Sequence, residues 1–160
     1  MKWTNHECMA FAIPLAVTGN VWVAMGSILF AVIPDSMEGS PDSRVMSHRG
    51  KSHNPIFWAV VLGAALVAAG IFHCSTNGIS LEWFGLEGPL TYNLWMMALW
   101  GIGCHLFCDS LTIGGIPIGK SRFAFKVFKT GDAFEYLLTY TCLALAILLR
   151  VEDIKFLFDH

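Results

Sequence analysis

The sequence has few charged residues. They make up 14% of its 160 residues, against 55% hydrophobic residues, whereas soluble domains carry about 25% charged residues. Ten Lys and Arg against twelve Asp and Glu leave a formal net charge of −2, which excludes a basic nucleic-acid binder and a disordered polar chain. Too few charges remain to coat a soluble protein. We therefore expect a single membrane-embedded domain over residues 1–160, with membrane lipid as a partner and no nucleic acid.

Paired cysteines are also lacking. The five cysteines include no C-x-x-C motif, and their number is odd. Most of them lie in or beside apolar runs, where cysteine behaves as a small hydrophobic residue. A disulfide framework is therefore not expected.

Charge is absent from four long intervals. No Asp, Glu, Lys or Arg occurs in residues 8–34, 52–81, 88–108 or 136–149. A membrane-spanning helix needs about 20 apolar residues, so we predict spans at Pro55–His73, Leu90–Cys108 and the shorter Phe134–Leu149. The first interval contains the turn signal Gly19-Asn20. It predicts a hairpin of two short helices, 5–17 and 20–33, with one kinked helix as the alternative. The expected fold is all-α and polytopic, with four or five helices.

The remaining basic residues orient these spans. Loop 34–54 contains Arg44, Arg49 and Lys51, and loop 110–131 contains four more cations. The charged residues of loop 75–89 are both acidic. Basic loops stay on the cytoplasmic side of an inner membrane. We therefore expect both basic loops to face the cytoplasm.

Seven ionisable residues lie at the ends of the apolar runs, where an ionisable group is costly and marks a functional site. With the hairpin in place, all seven fall on the cytoplasmic face. A mixture of imidazoles and carboxylates fits a divalent ion, with zinc first and manganese or iron next. Seven groups are enough for one to three ions. The predicted ligands are His6, Asp35, His48, His53, His105, Asp109 and Glu135.

Each of these residues also has a purely structural interpretation. His105 and Asp109, four apart on one helix face, can form a hydrogen bond that serves packing alone. The stretch around His48 and His53 can be a basic patch that touches anionic lipid headgroups. Glu38 and Asp42 follow Asp35 in a loop and are expected to be solvated.

The order of these segments resembles the bacterial inner-membrane metal-dependent hydrolases typified by a LexA-regulated, SOS-induced enzyme. That family's pattern is an early His, Pro-Asp-x-Asp, His-Arg-Gly-x-Thr-His-Ser, His-x-x-x-Asp, then a Gly and a Glu that open the last helix. The matching segments run over residues 4–149: Thr4-Asn-His6, Ile33-Pro-Asp35, His48-Arg-Gly-Lys-Ser-His53, His105-Leu-Phe-Cys-Asp109 with Gly114-Gly-Ile-Pro117, and Gly131-Asp-Ala-Phe-Glu135.

This sequence departs from the family pattern at two places. Met37 stands where the second acid of Pro-Asp-x-Asp is expected, with Glu38 adjacent as a substitute, and Ser52-His53-Asn54 replaces Thr-His-Ser. The ligand order is also similar to that of zinc-dependent phospholipases C. That similarity implies hydrolysis of a phosphoester.

The function we expect is hydrolysis of a phospholipid or another phosphoester by a metal-activated water. Asp35 or Glu135 would act as general base, and Arg49, Lys51 and Lys120 would hold the negative charge of the substrate. One alternative is a membrane protein that binds or transports metal without catalysis. A second is a structural membrane protein whose His and Asp residues only form packing hydrogen bonds.

Overall fold

The computed structural model describes residues 1–39, 49–77 and 89–155, with side chains for all of these except 69–77 and 89–92. Within these ranges the chain is mostly helical, and the residues of the three predicted spans are helical in α4, α5 and α6. The helices are α1 (Trp3–Thr18), α2 (Val21–Ala31), α3 (Ile33–Ser36), α4 (Pro55–Asn77), α5 (Pro89–Leu111), α6 (Ala133–Leu149) and α7 (Val151–Lys155), with a 3-10 turn at Lys51–His53.

The predicted N-terminal hairpin is present, so the single kinked helix is wrong. Gly19 ends α1 in the left-handed conformation, with φ 66°, and its N–H donates to Leu15 O at 2.9 Å. Glycine adopts this conformation without a Cβ clash. Asn20 then begins α2, because its side-chain oxygen accepts from the N–H of Val23 at 3.1 Å.

Small residues let the helices pack closely. A Cβ on Gly101 of α5 would overlap the backbone of Ser27 and Ala31 in α2. The helices α1 and α6 run parallel: the Asn5 amide donates to Glu135 at their first turns, and the Arg150 guanidinium donates to Ala16 O at their last turns. The molecule therefore has two distinct ends. We call the one holding Asn5 the site end and the one holding Arg150 the far end.

The outer surface of the bundle is apolar. Several large hydrophobic side chains are more than half exposed, which is unusual for a monomer in water. Among the described residues, the segment Asn93–Leu111 in α5 is the one helix long and apolar enough by length and composition to cross a membrane, and Pro55–Ala68 and Ala133–Leu149 are shorter apolar helices. The most exposed hydrophobic side chains are Leu29, Val60, Val67, Leu137, Leu148 and Leu149.

A short β-hairpin follows α5, so the all-α prediction is wrong in this detail. Strand β1 (Ile116–Ile118) pairs antiparallel with β2 (Ser121–Phe123). Gly119 has φ 62° and opens the two-residue turn, a position that requires positive φ. The chain beyond β2 returns along the end of α5, where Val127 N donates to Leu111 O at 2.8 Å. This hairpin places basic residues of the 110–131 loop at the site end.

Candidate metal centre

Four potential ligand atoms converge at the site end. The Nε2 atoms of His53 and His105 lie 3.0 Å apart. Asp35 Oδ1 lies 3.1 Å from the first and 3.7 Å from the second. Asp109 Oδ2 lies 3.3 Å from His53 Nε2 and 3.9 Å from His105 Nε2.

The separations among Asp35, His53 and His105 suit one shared ion. Ligand atoms about 2.0–2.1 Å from a zinc ion at tetrahedral angles lie about 3.3–3.4 Å from each other. Five of the six separations among these four atoms range from 3.0 to 3.9 Å, and each of the five involves a histidine. Two imidazoles and two carboxylates are also a donor set that a borderline divalent ion accepts. Asp35, His53 and His105 therefore form one group that could hold such an ion.

Three separate elements supply these ligands. His105 and Asp109 face the same side because they stand one turn apart in α5. Asp35 follows Pro34 in α3, directly after the hairpin, and His53 ends the 3-10 turn just before Pro55 opens α4. The cluster therefore depends on the tertiary fold. His53 and His105 are fully buried, whereas the Asp35 side chain is 24% exposed.

Glu38 is not solvated, contrary to the prediction. It is buried, and its Oε1 lies 2.8 Å from His53 Nδ1. The same oxygen accepts from Ser52 Oγ at 3.0 Å and from Arg49 N at 2.6 Å. A carboxylate on the second nitrogen of a histidine fixes the ring and its tautomer, as it does around bound metals. Glu38 therefore orients His53 with Nε2 towards the cluster.

His6 extends the cluster on the other side of His105. The two rings stack with centroids 3.9 Å apart, and His6 Nε2 lies 3.3 Å from Asp109 Oδ1. Together these three residues form a second group with ligand atoms within 4.8 Å of one another. Nδ1 of both His6 and His105 is buried without a hydrogen-bond partner among the described residues. Such orphaned atoms are uncommon in folded proteins.

Asp109 connects the imidazoles to a group of cations. Its Oδ1 accepts from Arg49 Nη2 at 2.9 Å and from the Met1 amine at 2.6 Å, whereas its Oδ2 faces His53 and His105. Burial works to lower the pKa of His53, but its hydrogen bonds to Asp109 and Asp35 outweigh burial and raise the pKa to about 9. In the absence of an ion, His53 is therefore protonated at neutral pH.

Comparison with known proteins decides the family of this chain. The model of the family described as "YdjM inner membrane protein" matches residues 1–155. The chain belongs to this family. No curated protein and no solved structure matches it. The family name states a membrane location, in agreement with the composition, and states neither a metal nor a reaction.

Glu135, another predicted ligand of this YdjM-family chain, is not part of the ligand cluster. Glu135 is fully buried at the site end, where its carboxylate accepts from Lys2 N, from the Asn5 amide and from Gly131 N. It belongs to neither group of clustered ligands. Its role as a metal ligand or general base remains a prediction. His48 lies outside the described residues.

The three predicted substrate-binding cations have different environments. Arg49 is buried, and its Nη1 donates to Thr112 Oγ1 at 2.7 Å. Lys51 is exposed on the 3-10 turn, and Lys120 is exposed at the tip of the β-hairpin. Of the three, the structure therefore places only Arg49 in hydrogen-bond contact with the cluster, through Asp109.

Proposed function

We propose that this YdjM-family protein is a membrane-bound metal-dependent hydrolase that cleaves a phosphoester, with a phospholipid as the first substrate class. The observation that carries the proposal is that the Nε2 atoms of His53 and His105 lie 3.0 Å apart and within 3.9 Å of a carboxylate oxygen from both Asp35 and Asp109. Zinc is the first candidate, and manganese or iron is next. The group around His6 leaves room for further ions, for a total of one to three.

The difference in solvent exposure between the buried ligands and the partly exposed Asp35 supports the proposal. A divalent ion held by three of these side chains would keep a coordination position open, where it would lower the pKa of a bound water towards about 7 and polarise a phosphoryl oxygen. His53, His105 and Asp109 are shielded from solvent, whereas Asp35 is 24% exposed. Asp35 is therefore the carboxylate that an entering substrate and water can reach. It is the better placed of the two predicted general bases, because the Glu135 oxygens already accept three hydrogen bonds.

The location of the cluster supports a substrate delivered by the membrane. The exposed apolar side chains of α2, α4 and α6 suit a lipid environment, and the cluster lies at one end of the bundle, at the level expected for headgroups. We place this end on the cytoplasmic side of the inner membrane, in a multi-pass topology. The support is its basic residues, Arg49, Lys51, Lys120, Arg122, Lys126 and Lys129.

The same distribution favours hydrolysis over metal transport. A transporter lines a path across the bilayer with polar groups. Among the described residues, the buried histidine, acidic and arginine side chains all lie at the site end: His6, Glu38, Arg49, His53, His105, Asp109 and Glu135. The site thus resembles a pocket at one surface rather than a path.

The test combines metal analysis with an ester hydrolysis assay. The full chain is purified in detergent without chelator, and its metal content is measured together with turnover of a phosphodiester and of phospholipid vesicles. We expect bound metal and turnover, both lost in His105→Ala and both retained in the matched control Lys126→Gln. Bound metal without turnover of any ester would contradict the hydrolase and favour a metal-binding protein. A folded protein without metal would contradict the centre itself.

A further inference from the structure

A second feature of the site end is a cavity of about 420 Å³ beside the candidate metal centre. It is large enough for a phosphate group and part of its substituent. Its wall comes from the chain start, from Arg49 just before the 3-10 turn and from residues in and around the β-hairpin. The lining residues are Met1, Arg49, Ile113, Gly114, Arg122, Lys129 and Thr130.

The cavity is positively charged. Among the described residues that line it, three side chains are cations and none is acidic. In the part of the chain that the structure describes, no carboxylate lies within ion-pair distance of Arg122 or Lys129. Arg49 is 92% buried, and its Nε has no hydrogen-bond partner among the described residues. Buried guanidinium groups ordinarily have all their donors satisfied, so Arg49 is a cation of the cavity wall whose hydrogen-bond donors are not all used among the described residues.

Arg49 fixes the position of this cavity relative to the ligands. Its Nη2 donates to Asp109 Oδ1 at 2.9 Å, while Asp109 Oδ2 lies 3.3 Å from His53 Nε2. One carboxylate therefore separates the cavity wall from the ligand cluster. Arg122 Nη2 in turn donates to Arg49 O at 2.9 Å, which connects β2 to the same wall. An anion in the cavity would lie next to the metal centre.

Gly114 keeps the cavity and the Arg49 side chain in place. A Cβ at this position would overlap Arg49 Nη1. That nitrogen needs its present position, because it donates to Thr112 Oγ1 at 2.7 Å. A side chain at 114 would therefore push the guanidinium away from Asp109 or into the cavity.

We infer that Arg49, Arg122 and Lys129, with the Thr130 hydroxyl, form a subsite for a phosphate group. Guanidinium and ammonium groups bind phosphate oxygens through charge-assisted hydrogen bonds. This inference rests on the proposed function for its place next to the reaction, since it names the part of the substrate that the hydrolase holds. It adds Arg122, Lys129 and Thr130 to the site and leaves out Lys51 and Lys120, which are not among the lining residues of the cavity. The binding itself does not require a metal.

The experiment measures phosphate binding by the full chain in detergent after treatment with chelator. Inorganic phosphate is titrated by calorimetry into the unmodified protein, Lys129→Gln, Arg122→Gln and the control Lys126→Gln. Lys126 is exposed in the same loop and does not line the cavity. We expect each cavity variant to weaken binding about tenfold, as for loss of a charged hydrogen bond, and the control to change it less than about twofold.

The opposite pattern would overturn the subsite. Unchanged binding in Lys129→Gln and Arg122→Gln, or equal weakening in Lys126→Gln, would assign phosphate to general surface charge. Gly114→Ala gives a second variant that removes no charge, and we expect it to weaken phosphate binding through Arg49. Metal content distinguishes failure of the phosphate subsite from failure of the proposed hydrolase. The cavity variants keep the four proposed ligands and should retain the metal, whereas His105→Ala removes a ligand and should lose it.

The source of the phosphate group is resolved by a second titrant. Short-chain phosphatidate, which dissolves in water, presents the same phosphate on a lipid. If it binds at least as tightly as inorganic phosphate and loses affinity in the same variants, the subsite takes a lipid headgroup. If only inorganic phosphate binds with this variant pattern, the subsite takes a soluble phosphate. Each result supports the phosphate subsite, and absence of binding by both titrants contradicts it.

Discussion

The two ends of the helical bundle use charged residues in opposite ways. At the far end, Arg150 pairs with Asp153 at 3.6 Å and Lys155 with Glu152 at 2.6 Å, and all four side chains are at least 35% exposed. At the site end, Asp109 and the histidines around it are 2% exposed or less. The ion pairs of the far end are exposed, whereas the histidines and Asp109 of the site end lie inside the protein.

The difference between exposed ion pairs and buried ionisable groups bears on the role of each end. Exposed ion pairs contribute about 0–1 kcal/mol, because water and salt screen them. Burial of charges is expensive, and it rarely improves stability over apolar packing. A cluster of buried histidines and carboxylates is therefore poorly explained by stability and well explained by a bound ion. The predictions below test this contrast, from the largest expected effect to the smallest.

Asp109→Asn should have the largest effect. The change removes a proposed ligand and leaves the buried Arg49 without its anionic partner. Breaking a buried ion pair in this way costs about 3–5 kcal/mol, and the metal should be lost as well. Elemental analysis and thermal unfolding in detergent measure the two effects. Normal metal content with unchanged stability would contradict the claim that the buried charges of the site end differ in role from the exposed pairs of the far end.

The metal-free protein should lose stability in alkali through His53. Its pKa of about 9 in the folded state exceeds the ordinary 6.5, so the folded state holds the proton more tightly. The stabilisation of the folded state by protonated His53 is fully present below about pH 6.5 and is lost as pH rises through about 9. Denaturant unfolding of chelated protein at pH 6 and pH 9.5 measures it. His53→Gln should reduce the difference between the two values, and an equal difference in this variant would contradict the assignment.

Glu38→Gln should weaken metal binding without abolishing it. Glu38 contacts the second nitrogen of His53 rather than the ligand cluster, and loss of such an outer contact lowers metal affinity about 10–100-fold. Competition with a chromophoric chelator gives the affinity. Glu152→Gln at the far end is the matched control and should leave it unchanged. Complete loss of metal in Glu38→Gln would make Glu38 a ligand instead.

Lys155→Gln should have the smallest effect. It breaks the exposed pair with Glu152, and the expected change in the free energy of unfolding is below about 0.5 kcal/mol. Thermal unfolding in detergent checks this value. A change of several kcal/mol would show that the far end is not the simple solvated surface that the comparison assumes.

The sequence predicted the helices well because their signals are local. The intervals without charge mark α4, α5 and α6, and Gly19-Asn20 marks the turn between α1 and α2. The β-hairpin was missed, since its strands have three residues each and sit in a basic loop. Its signal was present in Gly119, where a two-residue turn needs positive φ.

The candidate site was only partly accessible to sequence reasoning. Asp35, His53, His105 and Asp109 stand out because ionisable residues are rare at the ends of apolar runs. Glu38 was expected in water, although it stands three residues after Asp35 and so faces the same side of a helical turn. Arg122 and Lys129 could not be assigned, because their place in the cavity wall depends on how the hairpin folds back over α5.

X-ray absorption spectroscopy of the metal in the protein as purified tests the proposed centre most directly. With zinc, we predict a first shell of nitrogen and oxygen at about 2.0–2.2 Å, two of them imidazoles, and no sulfur. Cys104 and Cys108 are the cysteines nearest to His105 in the sequence, and they would supply sulfur ligands instead. A sulfur shell at about 2.3 Å, or a folded protein without any bound metal, would contradict a centre formed by Asp35, His53, His105 and Asp109.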